Sequence, residues 1–353
     1  MAAAVCFRHT FAAASSPFAM RALWPITLRI TDLCEDRRCT PLSLLRFVAV
    51  EICCHGCPFS EAVLEGMQSF PRLRGLDLSF YRHGYGLKPL YELSNLAGVS
   101  SLKLGMQLTE VQVEHMAGRL PLLRTLHLLH AQYFPAMTAL RRLPHLTCLA
   151  IAYLQHSALI ADNLSHLAAC AKLTYLILIE PHSQAVLCVL QHPILCARLA
   201  HLELREFDAQ LFSGDGFEGF SRGFAAMQLL RFLTLRSCIE SGAAIVVASH
   251  APALETITVL PRNDQILTAG AMRHNYTVPC ISDVRDALKT RETSTASTLC
   301  LELRFTPLCR ELNTRRLGAL RWEIEMENWR ALQTKTARNR CRFRLVLDAP
   351  QSN

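Results

Sequence analysis

The chain has 353 residues, 51% of them hydrophobic and only 19% charged, which is the composition of a chain that buries a large core. No run of about 18 uninterrupted apolar residues occurs, so no membrane span is indicated; Leu173–Ile179 is too short and ends at Glu180-Pro181. The formal charge of +8 sits at the two ends, in the acid-free residues 1–31 with Arg8, Arg21 and Arg29 and in the arginine-rich residues 315–347, while residues 32–314 are balanced, which speaks against nucleic acid on the body of the chain.

In chain order, residues 1–44 form an alanine-rich leader and an irregular cap. Their acid-free start fits a mitochondrial transit peptide or, more plainly, a capping repeat. Within and after it, Leu23-Ile26-Leu28 and Leu45-Val48-Val50 read as early strands. From there a phrase recurs: aliphatic, two variable residues, aliphatic, one variable residue, aliphatic. It runs Leu73-Leu76-Leu78, Val99-Leu102-Leu104, Leu123-Leu126-Leu128 and Leu146-Leu149-Ile151. It continues as Leu173-Leu176-Leu178, Leu199-Leu202-Leu204, Leu230-Leu233-Leu235 and Leu254-Ile257-Val259. Successive phrases start 26, 24, 23, 27, 26, 31 and 24 positions apart, the mark of a solenoid. Each phrase predicts a short strand with its three aliphatics turned inward.

Helices are predicted between the strands. Thr109–Gly118 carries Val113 and Met116 at helical spacing, with Leu120 following. Pro135 opens a second, with Met137, Leu140 and Leu143, and Asp162 a third, with Leu164, Leu167 and Ala168. The glycine-rich stretch Phe212–Phe224 reads as a flexible loop in the longest repeat. Residues 261–298 form an insertion with one short helix around Val284–Leu288. Residues 299–353 supply the terminal strands Leu299-Leu301-Leu303, Leu317-Leu320-Trp322 and Phe343-Leu345-Leu347 and a basic cap.

The phrase over residues 45–260 resembles the leucine-rich repeat family, and its repeat length and helical connectors are most similar to the ribonuclease-inhibitor-like branch, which includes the repeat regions of F-box proteins. The resemblance implies an α/β solenoid, a horseshoe with parallel strands on the concave face and helices on the convex face. The family places Asn or Cys three residues after the last aliphatic. Here Tyr81, Gln107, Ala131, Leu154, Pro181, Phe207, Cys238 and Arg262 stand there, and only Cys238 matches.

Residues flanking the second and third aliphatics should line the inner face. The candidates for partner binding are Asp77, Lys103, His127, Tyr153, Tyr175, Ile177, His201, Glu203, Arg205, Phe232 and Arg236, an apolar and aromatic centre between charged flanks. Arg338, Arg340, Arg342 and Arg344 alternate with other residues, as in a strand with one solvated face. Cys34, Cys39, Cys53, Cys54, His55 and Cys57 include a single Cys-x-x-Cys with no second pair, so a cap of free thiols is favoured over a zinc site.

Fifteen cysteines, an odd number scattered along the chain, point to reduced thiols in cytoplasm or nucleus, with Cys170, Cys188, Cys238 and Cys300 at interior positions. No phosphate loop, dinucleotide fingerprint or nucleophile elbow is present. The expectation is a non-enzymatic scaffold, without cofactor, metal or small-molecule substrate, that holds a protein partner on its concave face. Its resemblance to F-box repeat proteins implies substrate recognition in ubiquitination, although residues 1–45 carry no recognisable F-box pattern. The alternative is a mitochondrial assembly or RNA-associated factor using the leader and the basic C-terminal end.

Overall fold

The computed structural model describes residues 26–31, 49–55, 72–78, 96–105, 110–129, 137–152, 166–206, 216–236, 241–260, 280–294, 298–305 and 319–348. The architecture is α/β, in two compact units. The first comprises residues 1–153 and 165–173, the second residues 154–164 and 174–353.

The first unit holds strands β1 (Ile26–Thr31), β2 (Ala49–His55), β3 (Gly75–Leu78), β4 (Ser101–Leu104), β5 (Thr125–Leu128) and β6 (Cys148–Ala152), with helices α1 (Glu110–Arg119) and α2 (Met137–Leu140) between them. Every strand pairs in parallel with the next, and equivalent phrase positions are in register: Leu76, Leu102, Leu126 and Leu149 are successive partners. Strand β1 is built from the last six residues of the acid-free segment. Its register moves the first two phrases. Leu28 pairs with Ile52 and Ile52 with Leu76, so Leu28-Ile30 and Ile52-Cys54 occupy the places assigned to Ile26-Leu28 and Val48-Val50. The early phrases are irregular enough that only hydrogen bonding fixes their frame. Of the thiol-rich cluster, Cys53, Cys54 and His55 end β2; its other members lie outside the described residues.

The second unit holds β7 (Tyr175–Ile179), α3 (Ser183–Gln191), α4 (Pro193–Cys196), β8 (His201–Arg205), α5 (Gly216–Ala226), β9 (Phe232–Arg236) and α6 (Ser241–Ala248). It continues with β10 (Thr256–Leu260), α7 (Ile281–Ser294), β11 (Leu299–Phe305), α8 (Ala319–Thr336) and β12 (Cys341–Leu347). Its six strands are again parallel and in chain order.

Two local devices repeat. The three aliphatics of each of the eight phrases are buried, and in six of them so is a residue three places earlier: Leu120, Leu143, Cys170, Cys196, Met227 and Ala251. A turn closes around it, as where Leu173 N–H donates to Cys170 O at 3.0 Å and Leu123 N–H to Leu120 O at 3.1 Å. At the start of six strands, one carbonyl takes two amides of the following repeat. Arg74 O accepts from Ser100 and Ser101 at 2.8 and 2.9 Å, and Thr174 O from Ala200 and His201 at 2.9 and 3.0 Å. Arg124, Ala200 and Arg231 repeat the arrangement. Backbone carbonyls therefore tie consecutive repeats together at these strand starts.

Three sequence expectations fail here for stated reasons. From Gly216 on, the glycine-rich stretch is helical: Phe220 and Phe224, one turn apart, are both buried in α5. Its glycines serve close packing, because a Cβ on Gly223 would sit 2.6 Å from Leu190 Cβ of α3. Leu320 and Trp322 belong to helix α8, where Trp322, Met326, Trp329, Leu332 and Thr336 are buried at helical spacing and Leu320 is 73% exposed. Cys188 and Cys300 are half-buried rather than interior, whereas Cys170 is buried; Cys238 lies outside the described residues. The remaining terminal strands form as β11 and β12, although the alternation of the basic stretch begins only at Cys341, with Arg338 and Arg340 exposed before it.

Helix α8 also closes the sheet edge. Phe343 N–H donates to Thr336 Oγ1 at 2.9 Å and Leu345 N–H to Gln333 Oε1 at 2.7 Å, so two outward amides of β12 are occupied. Trp329 stacks on Phe343 at 5.0 Å and Trp322 meets Phe305 edge-on at 5.3 Å. Among the described residues, no helix is long and apolar enough to cross a membrane.

Arg291 of α7 is fully buried and donates to the carbonyls of Ser249, Ala251, Pro252 and Leu254, the carbonyl end of α6 and the turn into β10. Replacing it by methionine strands those acceptors. Arg291→Met should lower the unfolding free energy by about 3 kcal/mol in urea titration. A change below about 0.5 kcal/mol would mean that water replaces the guanidinium.

Candidate functional site

Because the strands are parallel and in register, side chains on the sheet face opposite the buried aliphatics line up in rows across the strands. In the first unit, Asp77, Lys103, His127 and Ala150 form one such row. Lys103 Nζ lies 3.1 Å from Asp77 Oδ2, and His127 is half-buried beside them. Tyr153 lies outside the described residues.

The second unit has three rows. The first is Tyr175, His201, Phe232, Thr256, Cys300 and Arg342. The second is Ile177, Glu203, Thr234, Thr258, Glu302 and Arg344. The third contains Ile179, Arg205, Arg236 and Leu260, with Arg304 and Val346 paired on β11 and β12.

In the first row, the Tyr175 and His201 rings stack at 3.9 Å with planes 4° apart, and Phe232 tilts against His201 at 5.4 Å. Phe232 remains exposed, with the Arg231 guanidinium 5.5 Å from its centroid. Arg231 is itself held by Glu255 through Nε and Nη2 at 2.7 and 3.0 Å.

Beside this stack, Glu203 is only 3% exposed yet ionised in a well-furnished site. Its Oε2 accepts from Tyr175 Oη at 2.8 Å and its Oε1 from Arg205 Nε at 2.7 Å, with Arg236 Nε at 3.3 Å. Burial alone would raise its pKa. The hydrogen bond and charge of Arg205, the Tyr175 hydroxyl and the charge of Arg236 outweigh that and hold the carboxyl below the usual range. His201 moves the same way for another reason: burial between two rings disfavours the imidazolium, against the weaker pull of Glu203. Its Nε2 is buried and has no hydrogen-bond partner among the described residues, as suits a neutral ring.

The sequence candidates Tyr175, His201, Glu203, Arg205, Phe232 and Arg236 are thus brought together. Ile177, expected among the binding residues, lies on this face but is only 2% exposed, covered by its neighbours. What the sequence reading missed is the far side of the same face. Glu302 is buried beneath Arg304 Nη2 at 3.0 Å and Arg344 Nη1 at 3.7 Å. Arg342 and Arg344, read as a solvated strip of a cap, share rows with His201 and Glu203. A signal existed: Leu-Glu-Leu-Arg occurs at 202–205 in β8 and again at 301–304 in β11.

Elsewhere, a cleft of about 490 Å³ between α3–α4 and α5 is lined by Leu190, Pro193, Cys196, Gly219 and Gly223. The Cys196 thiol donates to Leu190 O at 2.8 Å, and burial raises its pKa, so it is a packing thiol rather than a nucleophile.

No protein-family model matches this chain, and no curated protein is significantly similar to it.

Both shifts make acid destabilising. A lowered histidine pKa means that the unfolded state binds more protons, so the contribution of His201 is complete above about pH 6.5 and is lost as pH falls below it. Glu203 adds a loss below about pH 4.3 as its carboxylate is protonated. Urea midpoints of the full chain should therefore fall between about pH 7.5 and 5.5. His201→Gln should flatten that interval, and an unchanged slope in that variant would remove His201 as its source.

Proposed function

We propose that this chain is a non-enzymatic interaction module, a leucine-rich-repeat-like horseshoe that holds a protein partner on the sheet face opposite its helices. The observation that carries this reading is the row structure of the second unit. Six in-register strands place an exposed aromatic, Phe232, among rigidly held charged side chains, the mixture that anchors protein interfaces. Side chains already fixed by stacking and ion pairs lose little entropy when a partner binds.

Regular strand-start bonding between consecutive repeats, with one carbonyl taking two amides, is compatible with such an array. A role in substrate recognition for ubiquitination follows from the likeness to F-box repeat proteins. It requires an adaptor contact from residues outside the repeats, and co-purification of the full chain with an F-box-binding adaptor tests it. The same reading places the chain among the reduced thiols of cytoplasm or nucleus.

The face itself is tested by affinity purification of the full chain from cells with two variants. Phe232→Asp puts a charge at the aromatic centre, and Ile194→Asp, on exposed α4, serves as the control. A partner recovered with the wild type and with Ile194→Asp should be depleted at least about tenfold with Phe232→Asp, the cost of losing an interface anchor. Equal recovery with both variants rejects the face as the binding surface.

A further inference from the structure

Two matching ion clusters stand on the open face of the second unit. In each, one glutamate from the repeated Leu-Glu-Leu-Arg segment is buried, 3% exposed for Glu203 and 9% for Glu302. Each is bracketed by two arginines, one from its own strand and one from the next: Arg205 and Arg236 for the first, Arg304 and Arg344 for the second. Each cluster thus sets two guanidiniums over one buried carboxylate, and in the second Arg304 Nε also lies 3.9 Å from Asp348 Oδ1 at the surface. The buried acid does not compete for ligands at the surface; it fixes the arginines from beneath.

The outer arginines are the looser ones. Arg236 is 49% exposed and Arg344 is 65% exposed, with its Glu302 contact stretched to 3.7 Å. Arg205 engages Glu203 through Nε, which leaves its two Nη groups directed elsewhere. Guanidiniums held in this way are prepared to take a second carboxylate side-on.

Between the clusters, the glutamate row carries Thr234 on β9 and Thr258 on β10. These are short hydroxyl side chains that leave room above the sheet and offer hydrogen bonds. The clusters are three strand spacings apart, about 14 Å. In an extended peptide, residues four apart are separated by about 13 Å and point to the same side.

We propose that this face binds an extended acidic peptide lying across the strands, with two carboxylate side chains about four residues apart, one in each arginine pair. The proposal rests on the interaction-module reading above and names the partner's chemistry. A nucleic-acid strand fits less well. Its evenly spaced phosphates need a continuous basic stripe, whereas here Leu260 and the two threonines interrupt the arginines and two buried carboxylates lie below.

The test is fluorescence polarisation with the full chain and synthetic peptides carrying two aspartates four positions apart. Controls are the same peptide with asparagines, a peptide with the aspartates adjacent, and oligouridylate. The spaced diacid should bind at least about tenfold more tightly than the diamide and the adjacent diacid, with affinity falling as salt rises. Arg236→Gln and Arg344→Gln remove the exposed arginine of each pair and leave Arg205 and Arg304 to hold the glutamates. Each should weaken the spaced peptide about tenfold, the loss of one charge-assisted contact, in protein that circular dichroism shows still folded.

Equal binding of diacid and diamide, or tighter binding of oligouridylate, overturns the proposal. So does an Arg344→Gln protein that stays folded and binds the spaced diacid as wild type does. If the diacid fails while partner capture still depends on Phe232, only the acidic-peptide proposal falls. If capture is also indifferent to Phe232→Asp, the interaction reading falls with it.

Discussion

A strand with one apolar side is unstable alone, and this chain answers that constraint the same way again and again. Each phrase buries three aliphatics, one before and two on one side of a strand of four or five residues, and then lays the next strand beside it in parallel. Everything else depends on that lateral pairing. It sets the register, and the register decides which side chains become neighbours. Shared carbonyls such as Thr174 O and Arg231 O, each taking two amides from the following repeat, hold the pairing in frame. The connectors are consequently free to vary, from the short α2 to the eighteen-residue α8.

The open face is the by-product of that register. Tyr175, His201 and Phe232 are 26 and 31 residues apart in sequence yet lie ring against ring, because each is the first open-face residue of its strand. Glu203 shows how much the neighbours matter. In isolation a carboxylate so deeply buried would take up a proton; with Tyr175, Arg205 and Arg236 around it, it stays ionised. Arg205 and Arg236 are in turn held over the sheet by that carboxylate.

Much of this was legible in the sequence, because the aliphatic phrase is both the fold signal and the coordinate system of the face. Reading between Leu202 and Leu204 suffices to place Glu203. The errors came where periodicity was read too briefly. Leu320 and Trp322 look like a strand until Met326, Trp329 and Leu332 are counted with them and the period becomes helical. Gly219 and Gly223 look like a loop until Phe220 and Phe224 are seen one turn apart. Ile177 reads as an anchor because position in the phrase tells which face a residue is on, not how deeply its neighbours bury it. Arg344 was assigned to a cap because its strand falls beyond the regular repeats, although pairing carries the same rows through it. The contacts of Arg291, four carbonyls some forty residues away, have no local sequence signal at all.

The central claim is that equivalent phrase positions in the second unit stand side by side across six parallel strands. Electron–electron dipolar spectroscopy tests it directly, with spin labels carried on unnatural amino acids so that the fifteen cysteines do not interfere. Tyr175 and Arg342 occupy the first open-face row of β7 and β12, five strand spacings apart. Labels there should give one narrow distribution centred at about 24 Å, broadened by a few ångströms from the label linkers. A distribution centred beyond about 35 Å, or two separate maxima, would contradict a continuous in-register face.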